Sequence, residues 1–168
     1  MKSKKNYSIY LVDDDPIYLN TLELLFKEQS QDYNIKSFPT GEDCIKDLGQ
    51  NMPDAVVLDY YLNGIQSTAM DGIQVLNKIK ITNRTIPVIM ISGQNKIDIA
   101  VNCIKNGAHD FIQKNENTHF KLKFHFQQLI YGSERKNYIM LNEIWNLAMA
   151  TLFLVFLTGM VIYAYQHN

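Results

Sequence analysis

The sequence predicts an α/β domain built on a doubly wound parallel sheet, and three observations carry that expectation. Short apolar runs such as Ala55-Val-Val-Leu58 and Pro87-Val-Ile-Met-Ile91 read as strands covered on both faces. Between them lie segments with apolar residues at helical spacing, the crossovers that parallel strands need. The runs also stop abruptly at polar or breaking residues: Asp13, Asp59, Ser92-Gly93 and Lys114. With 168 residues, 46% hydrophobic and 20% charged, the chain has globular composition and room for one ordinary domain plus a modest appendage.

Taken in order, Ser8 to Val12 is a first strand of β-branched, aromatic and aliphatic residues. Asp15 then suits an N-cap and Pro16 a first helical position, and Leu19, Leu22, Leu25 and Phe26 form a helical stripe to about Gln29. Tyr33 to Phe38 is a second strand, broken by Pro39-Thr40-Gly41. Glu42 to Leu48 makes a short helix with Ile45 and Leu48 inward. Ala55 to Leu58 is the third strand. A polar loop, Asn63 to Ala69, precedes a helix that opens at Met70-Asp71-Gly72 and carries Ile73, Leu76, Ile79 and Lys80.

Pro87 to Ile91 is the fourth strand. Asn95 to Asn106 is a helix with Ile97, Ala100, Val101 and Ile104 as its apolar stripe, closed by Gly107 where left-handed backbone ends helices. His109 to Ile112 is a fifth, short strand. From Thr118 to Tyr131 two patterns compete: Phe120, Leu122, Phe124 and Phe126 alternate as in a strand, while Leu122, Phe126, Leu129 and Ile130 share a helical face. The regular alternation of elements decides for a helix.

Composition also excludes. A formal net charge of −1 gives no electrostatic case for nucleic acid as a partner. Cys44 and Cys103 lie far apart without metal-ligand spacing and read as reduced, packed residues. The basic start, Met1 to Lys5, is followed by too short an apolar run for a signal peptide, so none is expected.

In an open parallel sheet, ligands gather outside the carboxyl ends of the strands. There the chain places Asp13, Asp14, Asp59, Ser92 and Lys114. Each has an ordinary reading alone: a helix cap, a solvated loop acid, a turn former, a surface lysine. Their convergence at several strand ends is what points to chemistry. Three carboxylates repel one another unless a cation neutralises them, and oxygen ligands without Cys or His suit Mg²⁺. Lys114 adds a point charge and Ser92 one donor for phosphoryl oxygens. A carboxylate in such a site can act as a nucleophile toward phosphorus.

Leu11-Val-Asp-Asp-Asp-Pro16, Val57-Leu-Asp59, Ile91-Ser-Gly93 and Asp110-Phe-Ile-Gln-Lys114, in this order, resemble the response-regulator receiver domain over residues 7 to about 133. The resemblance implies a flavodoxin-like (βα)5 fold with strand order 2-1-3-4-5. It implies Asp59 as phosphoacceptor, and Mg²⁺ held by Asp13, Asp14, Asp59 and the backbone carbonyl of Tyr61. Ser92 and Lys114 would contact the phosphoryl group, and Ser92 and Phe111 would form the switch, with Gly93 leaving room for its movement. Two features depart from the family. Asn115 stands where a cis proline usually follows the lysine; a cis bond to Asn costs about 2.5–4 kcal/mol, which leaves a trans turn or a strained one. The loop Asn63 to Ala69 also lengthens the interval after the phosphoacceptor.

From Ile144 to Tyr165 no residue is charged. As a helix this stretch would span about 33 Å at 1.5 Å per residue, against roughly 30 Å of bilayer hydrocarbon. Trp145 stands near one end, Tyr163 and Tyr165 near the other, and Lys121, Lys123, Arg135 and Lys136 precede it. The expectation is a single-pass helix in the bacterial cytoplasmic (inner) membrane, inserted as a tail anchor, with the receiver in the cytoplasm. The domain plan is then 1–133 receiver, 134–143 juxtamembrane connector and 144–165 transmembrane helix. Gly159 is isolated and forms no small-residue motif, so a homodimer through the tail stays open.

The expected function is that of a membrane-tethered response regulator in a two-component system. It would be phosphorylated by a sensor histidine kinase or phosphotransfer protein and would act by contact with an output protein, since no DNA-binding module follows residue 133. The alternative is a receiver-like adaptor that works without phosphorylation. A hydrolase through an aspartyl phosphate is the weakest reading, because Tyr61 occupies the position two after Asp59 where such enzymes carry an acid. Slow self-dephosphorylation is all the enzymatic activity expected.

Overall fold

The structure is a computed structural model that describes residues 6–29, 33–62 and 69–166, without the side chains of 130–139, 156, 157, 159–162 and 164–166. The chain divides into two compact units, Met1–Lys123 and Phe124–Asn168. The first holds β1 (Tyr7–Val12), α1 (Pro16–Gln29), β2 (Tyr33–Phe38), α2 (Gly41–Leu48), β3 (Ala55–Asp59), α3 (Gly72–Thr82), β4 (Val88–Ser92), α4 (Ile97–Lys105) and β5 (Asp110–Gln113). All pairings are parallel and the strand order is β2-β1-β3-β4-β5, as the resemblance implied.

Burial follows the alternation of a pleated sheet. Tyr10, Val12, Val56, Leu58, Val88 and Met90 join Cys44 and Leu48 of α2, Val75, Leu76 and Ile79 of α3, and Ile99 and Cys103 of α4 in one core cluster. Ile9, Leu11, Val57, Ile89 and Ile91 alternate with those strand residues and are also buried, as are Leu19, Leu22 and Phe26 of α1. Both cysteines are buried and free, as the sequence led us to expect.

Helix starts are set by local chemistry. Asp15 Oδ1 accepts from the backbone N–H of Ile17 (2.8 Å) and Tyr18 (3.2 Å), which makes it the expected cap of α1. Asp71 and Gln74 form a capping box at α3. Gly107 closes α4 with φ +92°, a left-handed backbone that suits glycine.

Two expectations need correction. The stripe read for α4 is its outer face: Ile97 is 80% exposed, and Val101 and Ile104 are also exposed, while Ile99 and Cys103 point inward. Both faces of this helix are apolar, so spacing alone could not select the buried one.

The second concerns the C-terminal region. α5 runs as one helix from Thr118 to Gln166, and the segment 134–143 lies within it. Leu122 is buried and Phe120 and Phe124 are exposed, the pattern of the helical reading and not of a strand. The expected membrane span is not supported: among the described residues no helix is long and apolar enough to cross a membrane. Residues 63–68 of the long loop lie outside the described residues, and the expectation for that loop lies there with them.

Gly72 ties this architecture to the sheet edge. A Cβ there would stand 2.2 Å from the carbonyl oxygen of Asp59 and 2.8 Å from Cα of Tyr60, both backbone atoms. Gly72→Ala should therefore destabilise the domain by about 3 kcal/mol, at the upper end for overpacking, because backbone rather than a side chain must yield. A urea midpoint unchanged from wild type would contradict this close approach.

Candidate functional site

The carboxyl ends of β1, β3, β4 and β5 open on one rim, because every strand runs the same way. Asp13 follows β1 and Asp59 ends β3 next to it in the sheet. Asp13, Asp14 and Asp59 each bring a carboxylate oxygen to within 4.8 Å of the others; Asp13 and Asp59 are buried and Asp14 half-buried. The backbone N–H of Asp15 donates to Asp13 Oδ1 (3.0 Å), which fixes that side chain.

Lys114 follows β5 and reaches inward across the end of β4. Its Nζ lies 2.6 Å from Asp13 Oδ2 and 3.1 Å from Asp59 Oδ2. The other oxygen of Asp59, Oδ1, is buried and has no hydrogen-bond partner. A buried carboxylate oxygen left bare is costly. Asp13, Asp14 and Asp59 each offer an oxygen ligand there, and the pocket fits a hard divalent cation such as Mg²⁺.

Burial pushes the carboxyl of Asp59 up to about 6; Lys114 opposes the shift and Asp13 adds to it. Asp13 is also raised, chiefly by burial and against the hydrogen bond from Lys114. Burial alone would lower Lys114, yet its hydrogen bond to Asp13 and the two carboxylate charges raise it on balance. Because Asp59 titrates above its ordinary 3.8, the folded, metal-free protein holds the extra proton between about pH 4 and pH 6. Stability from this group thus increases as pH falls through that window and is lost as pH climbs past 6.

The remaining expected residues stand at the same rim with different degrees of engagement. Ser92 ends β4, fully buried; its Oγ accepts from the N–H of Gln94 (3.2 Å), and its carbonyl accepts from the N–H of Lys114 (2.7 Å). Its hydroxyl makes no described contact with a carboxylate. Gly93 has open space where a Cβ would stand. Phe111 on β5 is partly buried against the core cluster. The backbone N–H of Tyr61 helps to hold down the carboxyl of Asp59, while its side chain is exposed. No described contact engages its carbonyl.

The turn after Lys114 is trans: among the described residues there is no cis peptide bond. Thr118 secures it. The Thr118 hydroxyl accepts from the N–H of Asn115 (2.7 Å) and faces the carbonyls of Asn115 (2.8 Å) and Gln113 (3.1 Å). Asn115 Oδ1 in turn accepts from the N–H of Asn117 (2.9 Å). The strained alternative is thereby set aside, and Lys114 is placed without a proline.

Two residues at this rim escaped the sequence reading, Thr118 and Tyr18. The ring of Tyr18 lies under the Lys114 ammonium, 4.4 Å from centroid to Nζ. Thr118 carried a faint signal, a hydroxyl residue at the mouth of a helix. Tyr18 carried none, since it reads as an ordinary aromatic in the first turn of α1.

A parallel sheet that ends in an acidic trio and a lysine defines a receiver site. The family model of the response regulator receiver domain matches residues 9–122, and the chain belongs to that family. Among similar proteins, the putative NtrX-like response regulator of Rickettsia bellii is 36% identical over 106 residues, covering 63% of this chain and 21% of its own. The nitrogen assimilation regulatory protein NtrX of Azorhizobium caulinodans is 31% identical over 108 residues, covering 64% of this chain and 23% of its own. This chain thus spans about a fifth of the length of those relatives. Among solved structures, the signal receiver domain of a putative Luxo repressor protein from Vibrio parahaemolyticus superposes with a TM-score of 0.68 at 25% identity, covering 80% of this chain and 97% of that one.

Lys114→Met should raise the titration midpoint of Asp59 above 6, because the ammonium is what holds it down. A ¹³C NMR titration of the carboxyl in metal-free protein reads this directly; a midpoint that stays or falls would place the ammonium elsewhere.

Proposed function

We propose that this receiver accepts a phosphoryl group on Asp59 from the phosphohistidine of a sensor kinase or phosphotransfer protein, and that the product changes its contacts with another protein. The observation that carries the proposal is the meeting of three carboxylates within 4.8 Å with the Lys114 ammonium seated on two of them. In the transfer, an oxygen of Asp59 attacks phosphorus, the P–N bond to imidazole breaks, and an acyl phosphate forms. Asp59 must be ionised to attack, and a midpoint of about 6 leaves it mostly anionic at pH 7.

Asp13, Asp14 and Asp59 would hold Mg²⁺, with the carbonyl of Tyr61 as a further ligand. When bound, the ion neutralises charge among the acids and the incoming phosphoryl oxygens. Lys114 then moves its charge from carboxylate to phosphoryl oxygen. Ser92, whose Oγ accepts from Gln94, keeps its own proton to donate to the same group. Phe111 and Ser92 are the switch in this reading, and Gly93 leaves the space into which the loop moves.

Output through protein contact suits the exposed apolar residues Ile97, Val101 and Ile104 of α4 and Phe120 of α5. Turnover as a hydrolase is no part of the proposal, since Tyr61 offers no acid two residues after Asp59. The adaptor reading rested on Asn115 and the long loop Asn63 to Ala69; Lys114 reaches both carboxylates across a trans bond, and residues 63–68 lie outside the described residues.

Acetyl phosphate or beryllofluoride with Mg²⁺ should shift the amide NMR signals around Ser92, Phe111 and Lys114 in wild-type protein and leave Asp59→Asn unchanged. Equal responses from the two proteins, or none from either, would favour the adaptor.

A further inference from the structure

Tyr18 touches the centre of the site without a part in the chemistry so far described. Its backbone is held in the first turn of α1, where its N–H donates to Asp15 Oδ1 (3.2 Å). From there its ring lies 4.4 Å from the Lys114 ammonium. Its hydroxyl is buried near Thr118 without a well-formed hydrogen bond.

An ammonium has three protons to satisfy. On Lys114, Asp13 and Asp59 supply two carboxylate oxygens at 2.6 Å and 3.1 Å, and the face of Tyr18 closes a third side. The side chain of Lys114 is only 20% exposed, so water cannot fully replace that ring. A ring face attracts a cation without a fixed direction, unlike a carboxylate or carbonyl. It therefore supports the ammonium at the rim while leaving it free to turn from one oxygen to another. Transfer of the Lys114 charge from a carboxylate to a phosphoryl oxygen requires that freedom.

We propose that Tyr18 is a positioning residue for phosphoryl recognition: its ring holds the Lys114 ammonium between Asp13 and Asp59, and its hydroxyl is dispensable. This rests on the reading of Asp59 as phosphoacceptor. Thr118 is the complementary device, acting on the backbone of the lysine turn as Tyr18 acts on its charged end.

The 168-residue chain and its Tyr18→Phe and Tyr18→Leu variants test the assignment with two titrations, Mg²⁺ alone and beryllofluoride at saturating Mg²⁺. Tyr18→Phe keeps the ring and should match wild type within about twofold in both, against the loss of about tenfold that removing a partly desolvated cation–π contact brings. Tyr18→Leu should lose that tenfold in beryllofluoride affinity while its Mg²⁺ affinity holds, because the acids stay in place. Parallel loss of both affinities in Tyr18→Leu would reveal general damage to the pocket and overturn the proposal, as would unchanged beryllofluoride binding. A tenfold loss in Tyr18→Phe would overturn it too, by assigning the work to the hydroxyl.

Should Tyr18→Leu fail to fold, the wild-type protein still decides. The ε-methylene protons of Lys114 should resonate upfield of the other lysines through the ring current, and an ordinary shift would overturn the proposal. Failure of wild-type protein to bind beryllofluoride is a separate result, which removes the phosphoacceptor reading and leaves the NMR criterion for Tyr18 standing.

Discussion

An ammonium held between two buried carboxylates is the constraint on which the rest of this domain depends. Lys114 and Asp13 are 101 residues apart in sequence, and their meeting at 2.6 Å requires β1 and β5 to end on the same rim. A parallel sheet with its crossovers made by helices does that. The order β2-β1-β3-β4-β5 then sets Asp59 beside Asp13, and leaves the lysine to reach across the end of β4 to Asp59 and past β3 to Asp13 with its four-carbon stem.

The arrangement is electrostatically uneven. Burial raises Asp13 and Asp59, and one lysine cannot fully compensate three acids gathered within 4.8 Å. A buried ion pair of this kind is weak as a source of stability, because desolvation of both charges offsets much of their attraction. Its value is responsiveness. In the proposed function, a divalent cation or a new anionic group at Asp59 would meet charges already positioned, and the lysine would have somewhere else to turn.

The loop that presents the lysine shows how local chemistry substitutes for a missing family feature. Where receivers usually carry a cis proline, Asn115 continues the chain in trans, and the Thr118 hydroxyl binds the backbone on both sides of the turn. From below, the Tyr18 ring bounds the charged end of the same side chain. Lys114 is thus held at both ends by groups on two different helices of the fold.

The sequence by itself determined the alternation of strands and helices, the strand ends at Asp13, Asp59, Ser92 and Lys114, and the capping by Asp15 and Gly107. Each follows from local period, propensity or backbone geometry. Tertiary structure decided the inward face of α4, where two apolar faces compete, and the continuity of α5 through 134–143. The reading of 144–165 as a membrane span is not supported among the described residues. Tyr18 and Thr118 became visible only once the chain had folded. Their part comes from proximity to a residue roughly a hundred positions away in one case and from three hydrogen bonds of a turn in the other, and neither leaves a mark in residue type or spacing.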